Sequence, residues 1–266
     1  MFPNELLQKL LNMIRPNYSI DVNVQGTSLE IAQGNVEGVT FVNKFGENPA
    51  VPTGGADIWD FGGAYTFSTT ADIDTVSSSS GSDTQDVVVH GLDANWAESE
   101  QTITLTGQTK VTLNPPLIRV SRMYNDNGTD LAGVVYCYVD GDITAGEPDT
   151  DADVRAIING VAGHNQTLMC IYTVPAGKTA YFTQGYIAIA EKKEAYATME
   201  WKVRLFGKVF RTQSVVSLNS AGAGTFTYRY TIPGGLPEKS DIVISCVDAS
   251  TTVALSGGFD ITLIDN

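Results

Sequence analysis

The tripeptide Gly177-Lys178-Thr179 matches the tail of a nucleotide-binding P-loop, in which glycine backbone and lysine cradle phosphates. That loop needs a glycine five residues before Gly177 and a helix after the lysine. Tyr172 stands at the first position, and the residues past Lys178 continue as strand. The run Tyr172 to Thr183 therefore reads as strand, sharp turn and strand, with Lys178 solvated. The acidic run Asp140 to Asp153 offers oxygen ligands of the kind calcium takes. Counted from Asp140, ligand-type residues fall at positions 1, 3, 5 and 12 of an EF-hand loop, but Ala145 replaces its glycine and no helices flank it. Asp140, Asp142 and Asp151 stand as a weak calcium set of another geometry, against the stronger reading of a solvated hairpin loop. No other metal or cofactor is expected.

Glu98 and Glu100 have the residue types of a glycosidase acid pair. Two apart on a strand, they point the same way instead of facing across a cleft. His90 and His164 both sit beside glycines and read as turn residues. No nucleophile elbow, zinc-protease helix or dinucleotide fingerprint occurs, so the search for catalytic residues ends empty and the chain is not expected to be an enzyme. Trp59, Trp96 and Trp201 could form sugar-stacking platforms, but plugging the core or a subunit contact is the preferred reading.

The elements that must position these residues are strands. The 266 residues carry a formal charge of −14 and only 17% charged side chains, with hydroxyl, amide and glycine residues making up the polar content. Such a balance argues against a broad nucleic-acid footprint, which needs clustered bases. The few bases around Lys192-Lys193 and across Lys202, Arg204, Lys208 and Arg211 read as a solvated strand face. Cys137, Cys170 and Cys246 each lie in an apolar strand pattern and read as buried free thiols. No secretory signal and no apolar run long enough to span a membrane are found.

Only Asn4 to Ile14 has helical spacing, with Leu6, Leu7, Leu10, Leu11 and Ile14 on one side and Pro16 closing it. So short a helix must dock, either on a neighbour, with this set as the candidate assembly contact, or as a lid over its own β core. From Val36 onward, period-two alternation, plainest in Thr225 to Ile232, alternates with Gly, Pro, Asn and Asp turn signals. The expectation is an all-β chain of β-sandwich or jelly-roll type. It comprises an N-terminal helical arm (1–16), one β-sandwich (17–160) and a second (161–266), divided near the acidic stretch. Ser77 to Ser82 reads as a flexible exposed loop.

Several phrases carry a resemblance: Gly38 to Gly46, Asn48-Pro49, Asp57 to Asp60, Thr70 to Ile73, Gly91 to Trp96, Gln166 to Met169, Gly258 to Ile261 and Asp265-Asn266. From about Val36 to the end, the chain resembles structural proteins of tailed marine bacteriophages. The resemblance implies a virion protein, assembled in the host cytoplasm, of the capsid decoration or cement type. It would bind the major capsid protein or neighbouring virion proteins as a homo-oligomer, a trimer being favoured, with no nucleic-acid or membrane partner. The alternatives are a tail or head–tail component, or a receptor-binding protein that takes host-surface glycans on its tryptophans. A polysaccharide-degrading enzyme using Glu98 and Asp93 is a third class.

Overall fold

The computed structural model describes residues 28–266 except Lys192 and Ala223. The expected docking segment with Leu6, Leu7, Leu10, Leu11 and Ile14 lies outside the described residues. Among the described residues, helix is confined to one turn at 28–32 and a 3-10 turn at Asp151–Asp153. The regular structure is otherwise antiparallel strand, as the alternation predicts.

Strands β1 (Val39–Val51) and β2 (Ala56–Asp57) come first. They are followed by β3 (Ile73–Ser78), β4 (Asp86–Leu92), β5 (Glu98–Thr104), β6 (Val111–Leu117), β7 (Arg119–Asn125), β8 (Val135–Val139), β9 (Ile143–Thr144), β10 (Glu147–Pro148) and β11 (Val154–Ile158). The last group is β12 (Ile171–Thr173), β13 (Lys178–Ile189), β14 (Tyr196–Arg204), β15 (Arg211–Asn219), β16 (Thr225–Arg229), β17 (Gly235–Leu236), β18 (Asp241–Ala249) and β19 (Val253–Asp265).

These strands form two sandwiches. In the first, the sheets β11-β8-β3-β6 and β5-β4-β7 enclose a core that includes Val76, Val89, Leu113, Met123 and Cys137. In the second, β1-β19-β13-β16 packs on β12-β18-β14-β15 over Phe182, Ile187, Trp201, Ile244 and Phe259. Strand β14 shows the rule for a half-buried strand: Ala197, Met199, Trp201 and Val203 face the core, and the residues between them face outward. Strand β18 breaks that rule, because every residue from Asp241 to Cys246 is buried. Ile242, Ile244 and Cys246 enter their own core, while Val243 joins the core of the other sandwich. Each such aliphatic side chain taken fully from water contributes about 1.5–3 kcal/mol.

The cores do not divide the chain into 17–160 and 161–266. Strand β1 pairs with β19 along its length, from Val39 opposite Ile264 to Val51 opposite Val253, and β2 pairs with β18. Val51, Ala56 and Ile58 accordingly belong to the C-terminal core. The first sandwich, about residues 59–169, is thus an insertion between β2 and β12. Local periodicity identifies β1 as a strand but carries nothing about a partner at the far end of the sequence. The acidic stretch forms the β9–β10 hairpin inside the inserted sandwich.

The serine run also differs from expectation. Ser77 and Ser78 end β3 fully buried, because their hydroxyls are satisfied internally. Ser77 Oγ donates to the Gly146 carbonyl, and Ser78 Oγ donates to the Asp83 carboxylate at 2.6 Å. Asp83 in turn accepts the backbone N–H groups of Ala132 and Gly133.

Gly46 marks where β1 crosses the entry to β12. A Cβ there would lie 2.7 Å from the backbone N and Cα of Met169, which cannot move as a side-chain tip would. Gly46→Ala is expected to destabilise the chain by about 1–3 kcal/mol through overpacking. Urea unfolding followed by tryptophan fluorescence checks this; an unchanged midpoint would contradict the packing described.

Candidate functional site

Two sandwiches joined through the outer face of β18 need polar groups at their seam, and Asp241 supplies the central one. Its carboxylate accepts from Arg119 Nε at 3.0 Å, Thr173 Oγ1 at 2.6 Å, and Arg204 Nε and Nη2 at 2.9 and 2.6 Å. Arg119 comes from β7 of the inserted sandwich, so the contact links the two units. Its Nη1 also donates to the carbonyls of Ser68 and Ile118. The Arg119 guanidinium lies 4.9 Å from the Trp96 ring centre and 5.2 Å from Phe67. Arg204 lies 4.8 Å from Phe67 and 4.7 Å from Phe210. Phe67 is therefore shared by two cations that both pair with one carboxylate, an arrangement in which ring faces replace part of the lost hydration.

A cleft of about 680 Å³ runs from this clamp between β1 and the β5-β4-β7 sheet. Register places Glu100, His90 and Arg122 opposite one another across three strands. His90 Nδ1 lies 3.5 Å from Glu100 Oε2, and its ring stacks on Tyr124 with centroids 5.6 Å apart. Lys44, from β1, is buried and donates to the Ser121 carbonyl. Burial, with the Arg122 charge beside it, pulls the Lys44 amine down to about 7. Arg122 lies 5.7 Å from the centre of the Phe45 ring. Among the described residues, neither Lys44 nor Arg122 has a carboxylate within ion-pair distance.

A second concavity, about 570 Å³, opens where the terminal strands β15 and β16 of the two sheets diverge. Trp201 packs on Gly185, where a Cβ would come within 3.2 Å of its ring. Val215, Val216, Phe226, Tyr228 and Tyr230 complete the apolar lining beside Gln213, Ser214 and Ser217, and among the described residues no charged side chain takes part.

The residues singled out from sequence are distributed as follows. Lys178 is not solvated: its side chain is 17% exposed and its amine lies 2.9 Å from Asp265 and 3.7 Å from Glu98. Gly177 has φ 73°, as the sharp turn requires. Asp140 pairs with Lys110 at 2.7 Å, and that hydrogen bond holds its carboxyl below the usual range. Asp142 and Asp151 are exposed, and among the described residues no group of three or more His, Cys, Asp and Glu is gathered as a metal site. Glu98 and Glu100 both line the cleft, and His90 lies within β4, not at a turn. Trp59 and Trp201 are core residues, whereas Trp96 covers Arg119. Arg204, expected on a solvated face, is turned into the clamp. Arg119, Asp241, Lys44 and Arg122 were legible only as charges interrupting apolar strand text, which is where buried pairs occur.

The two chain crossings between the sandwiches lie side by side. Trp59 bridges Met169, the Asp60 N–H donates to the Leu168 carbonyl, and the Cys170 N–H donates to that of Ile58. Both Asp60 carboxylate oxygens are buried there without a hydrogen-bond partner. Burial, aided by the Glu47 charge, pushes this carboxyl up to about 8.

No family model matches the chain, and no curated protein matches it. Among solved structures, it aligns with the VP2 subviral particle of infectious bursal disease virus at 12% identity and a TM-score of 0.21, over 86% of this chain and 73% of that one. The Gt strain of the same virus gives 11% identity and a TM-score of 0.13, over 86% and 82%. Likeness at this level does not define a common fold.

Removing the central carboxylate leaves Arg119 buried without its counter-charge, a loss of about 3–5 kcal/mol. Asp241→Ala is expected to lower the unfolding midpoint accordingly, and a change below about 1 kcal/mol would refute the clamp. Asp60 acts with opposite sign. Between about pH 4 and pH 8 the folded chain keeps this proton while the unfolded chain loses it, so stability falls as pH rises through that window. Asp60→Asn is expected to flatten this decline and to raise the melting temperature at pH 8 relative to the parent. The comparison at each pH cancels the titration of Lys44, and parallel curves for the two proteins would exclude the assignment.

Proposed function

We propose that this chain is a structural component of a bacteriophage virion, of the decoration type, held on the head as a homo-oligomer. The observation that carries the reading is the uncharged, apolar opening between β15 and β16. A chain of net charge −14 repels its own copies, so self-association needs a face without carboxylates. This face has none, and Val215 and Tyr228 stand on it 57% and 50% exposed. It is also bordered by two terminal strands, whose free backbone edges favour pairing or coverage by a neighbour. Such a face meeting a different face of the next copy closes into a ring, and a trimer is the favoured closure. The Asp241 clamp supports the same reading, because it ties the two sandwiches together through a buried Arg119–Asp241 pair. The major capsid protein is the expected partner, with a tail or head–tail position as the other place in the particle.

Val215→Asp and Tyr228→Asp test the assembly step. The parent is expected to sediment as an oligomer at micromolar concentration, and each variant as a monomer with an unchanged β-type circular dichroism spectrum. A monomeric parent would overturn the proposal. Immunogold electron microscopy of virions, with label expected over the head, decides position; label on the tail would favour the second placement.

A further inference from the structure

We infer that the cleft between β1 and the β5-β4-β7 sheet is a binding site for a carboxylate-bearing oligosaccharide. The inference is independent of the assembly face, which lies on β15 and β16.

Three observations support it. First, the inner wall holds two cations, Lys44 and Arg122, that lack a carboxylate partner among the described residues, in a chain with 30 acidic and 16 basic residues. Burial first, and the neighbouring Arg122 charge second, lower the proton affinity of Lys44, and an anion between the two cations would relieve their repulsion. Second, the acids in the cleft are differently placed. Glu98 and Glu100 lie at the exposed rim, each already beside a base, Lys178 and His90 respectively. A continuous acidic peptide would meet these carboxylates, whereas sugar hydroxyls would donate to them. Third, Phe41 is 50% exposed at the mouth and Tyr124 backs His90, which gives apolar faces for a sugar ring beside the hydroxyls of Ser99 and Ser121. One anion with many hydroxyls is the chemistry of an otherwise neutral oligosaccharide that carries a single uronic acid.

Binding would also draw a proton. The groups facing Lys44 are Ser121 and Arg122 on β7 and the Cys170 thiol ahead of β12, with His90 and Glu100 across the cleft. An anion placed there favours the charged amine, so affinity should fall as pH rises above about 7.

Isothermal titration of the full chain with a trisaccharide of two galactose units and one galacturonic acid tests the inference, alongside the neutral galactose trisaccharide, inorganic phosphate and a glutamate-rich hexapeptide. The acidic sugar is expected to bind about tenfold or more tightly than the other three. Arg122→Ala should weaken it by about tenfold to a hundredfold and Arg122→Lys by much less, both with unchanged melting temperature. Proton uptake, read from titrations in two buffers of different ionisation enthalpy, should accompany binding at pH 8. Equal binding of the neutral sugar, or no effect of Arg122→Ala, would overturn the site. Phosphate or the peptide binding as tightly as the acidic sugar would overturn the sugar assignment.

Discussion

One buried carboxylate fixes the relation between the halves of this molecule. Asp241 opens β18 with its side chain on the face turned away from its own core, and it receives one guanidinium from each sandwich. A cation so placed loses most of its hydration, a penalty that a single ion pair rarely offsets. Here the offset is distributed: the carboxylate is shared, Phe67 lies against both guanidiniums, and Trp96 and Phe210 cover their outer faces. Two cations on one carboxylate leave one positive charge in excess, and Arg204, whose side chain is 29% exposed, keeps part of its hydration. Val243 and Ile171 pack across the seam as ordinary core residues.

The cleft follows from this seam. Beyond Arg119, β1 and the β5-β4-β7 sheet separate and leave the cleft between them. Lys44 and Arg122 are caught where the surfaces separate, buried enough to feel each other but too far from the clamp to share its carboxylate. The β15–β16 opening has a different origin. There the two sheets of one sandwich run out of strands, and Trp201 fills the gap only as far as Gly185 allows. One concavity is thus polar and lies between units; the other is apolar and lies at the end of a single core.

Much of this fold could be read from residue order alone. Alternation in β14 and the turn at Gly177 are local features, and the structure keeps them. What could not be read is pairing at long range. Nothing in Val39 to Val51 specifies β19 as neighbour, so the insertion of one sandwich into the other was invisible and the boundary was drawn once instead of twice. Polar residues failed for a related reason. Ser77, Lys178 and Arg204 look solvated in sequence, and only the arrival of Gly146, Asp265 and Asp241 from elsewhere makes their burial tolerable. The candidate cleft was only half legible: Glu98 and Glu100 drew notice as acids, but the cations opposite them did not.

The paired crossings at Ile58–Asp60 and Leu168–Cys170 have a mechanical consequence. A module tethered by a single strand can swivel about its linker. Two antiparallel strands bonded edge to edge behave as a ribbon that resists stretching and in-plane shear. Force applied to the inserted unit therefore passes into β2 and β12 together.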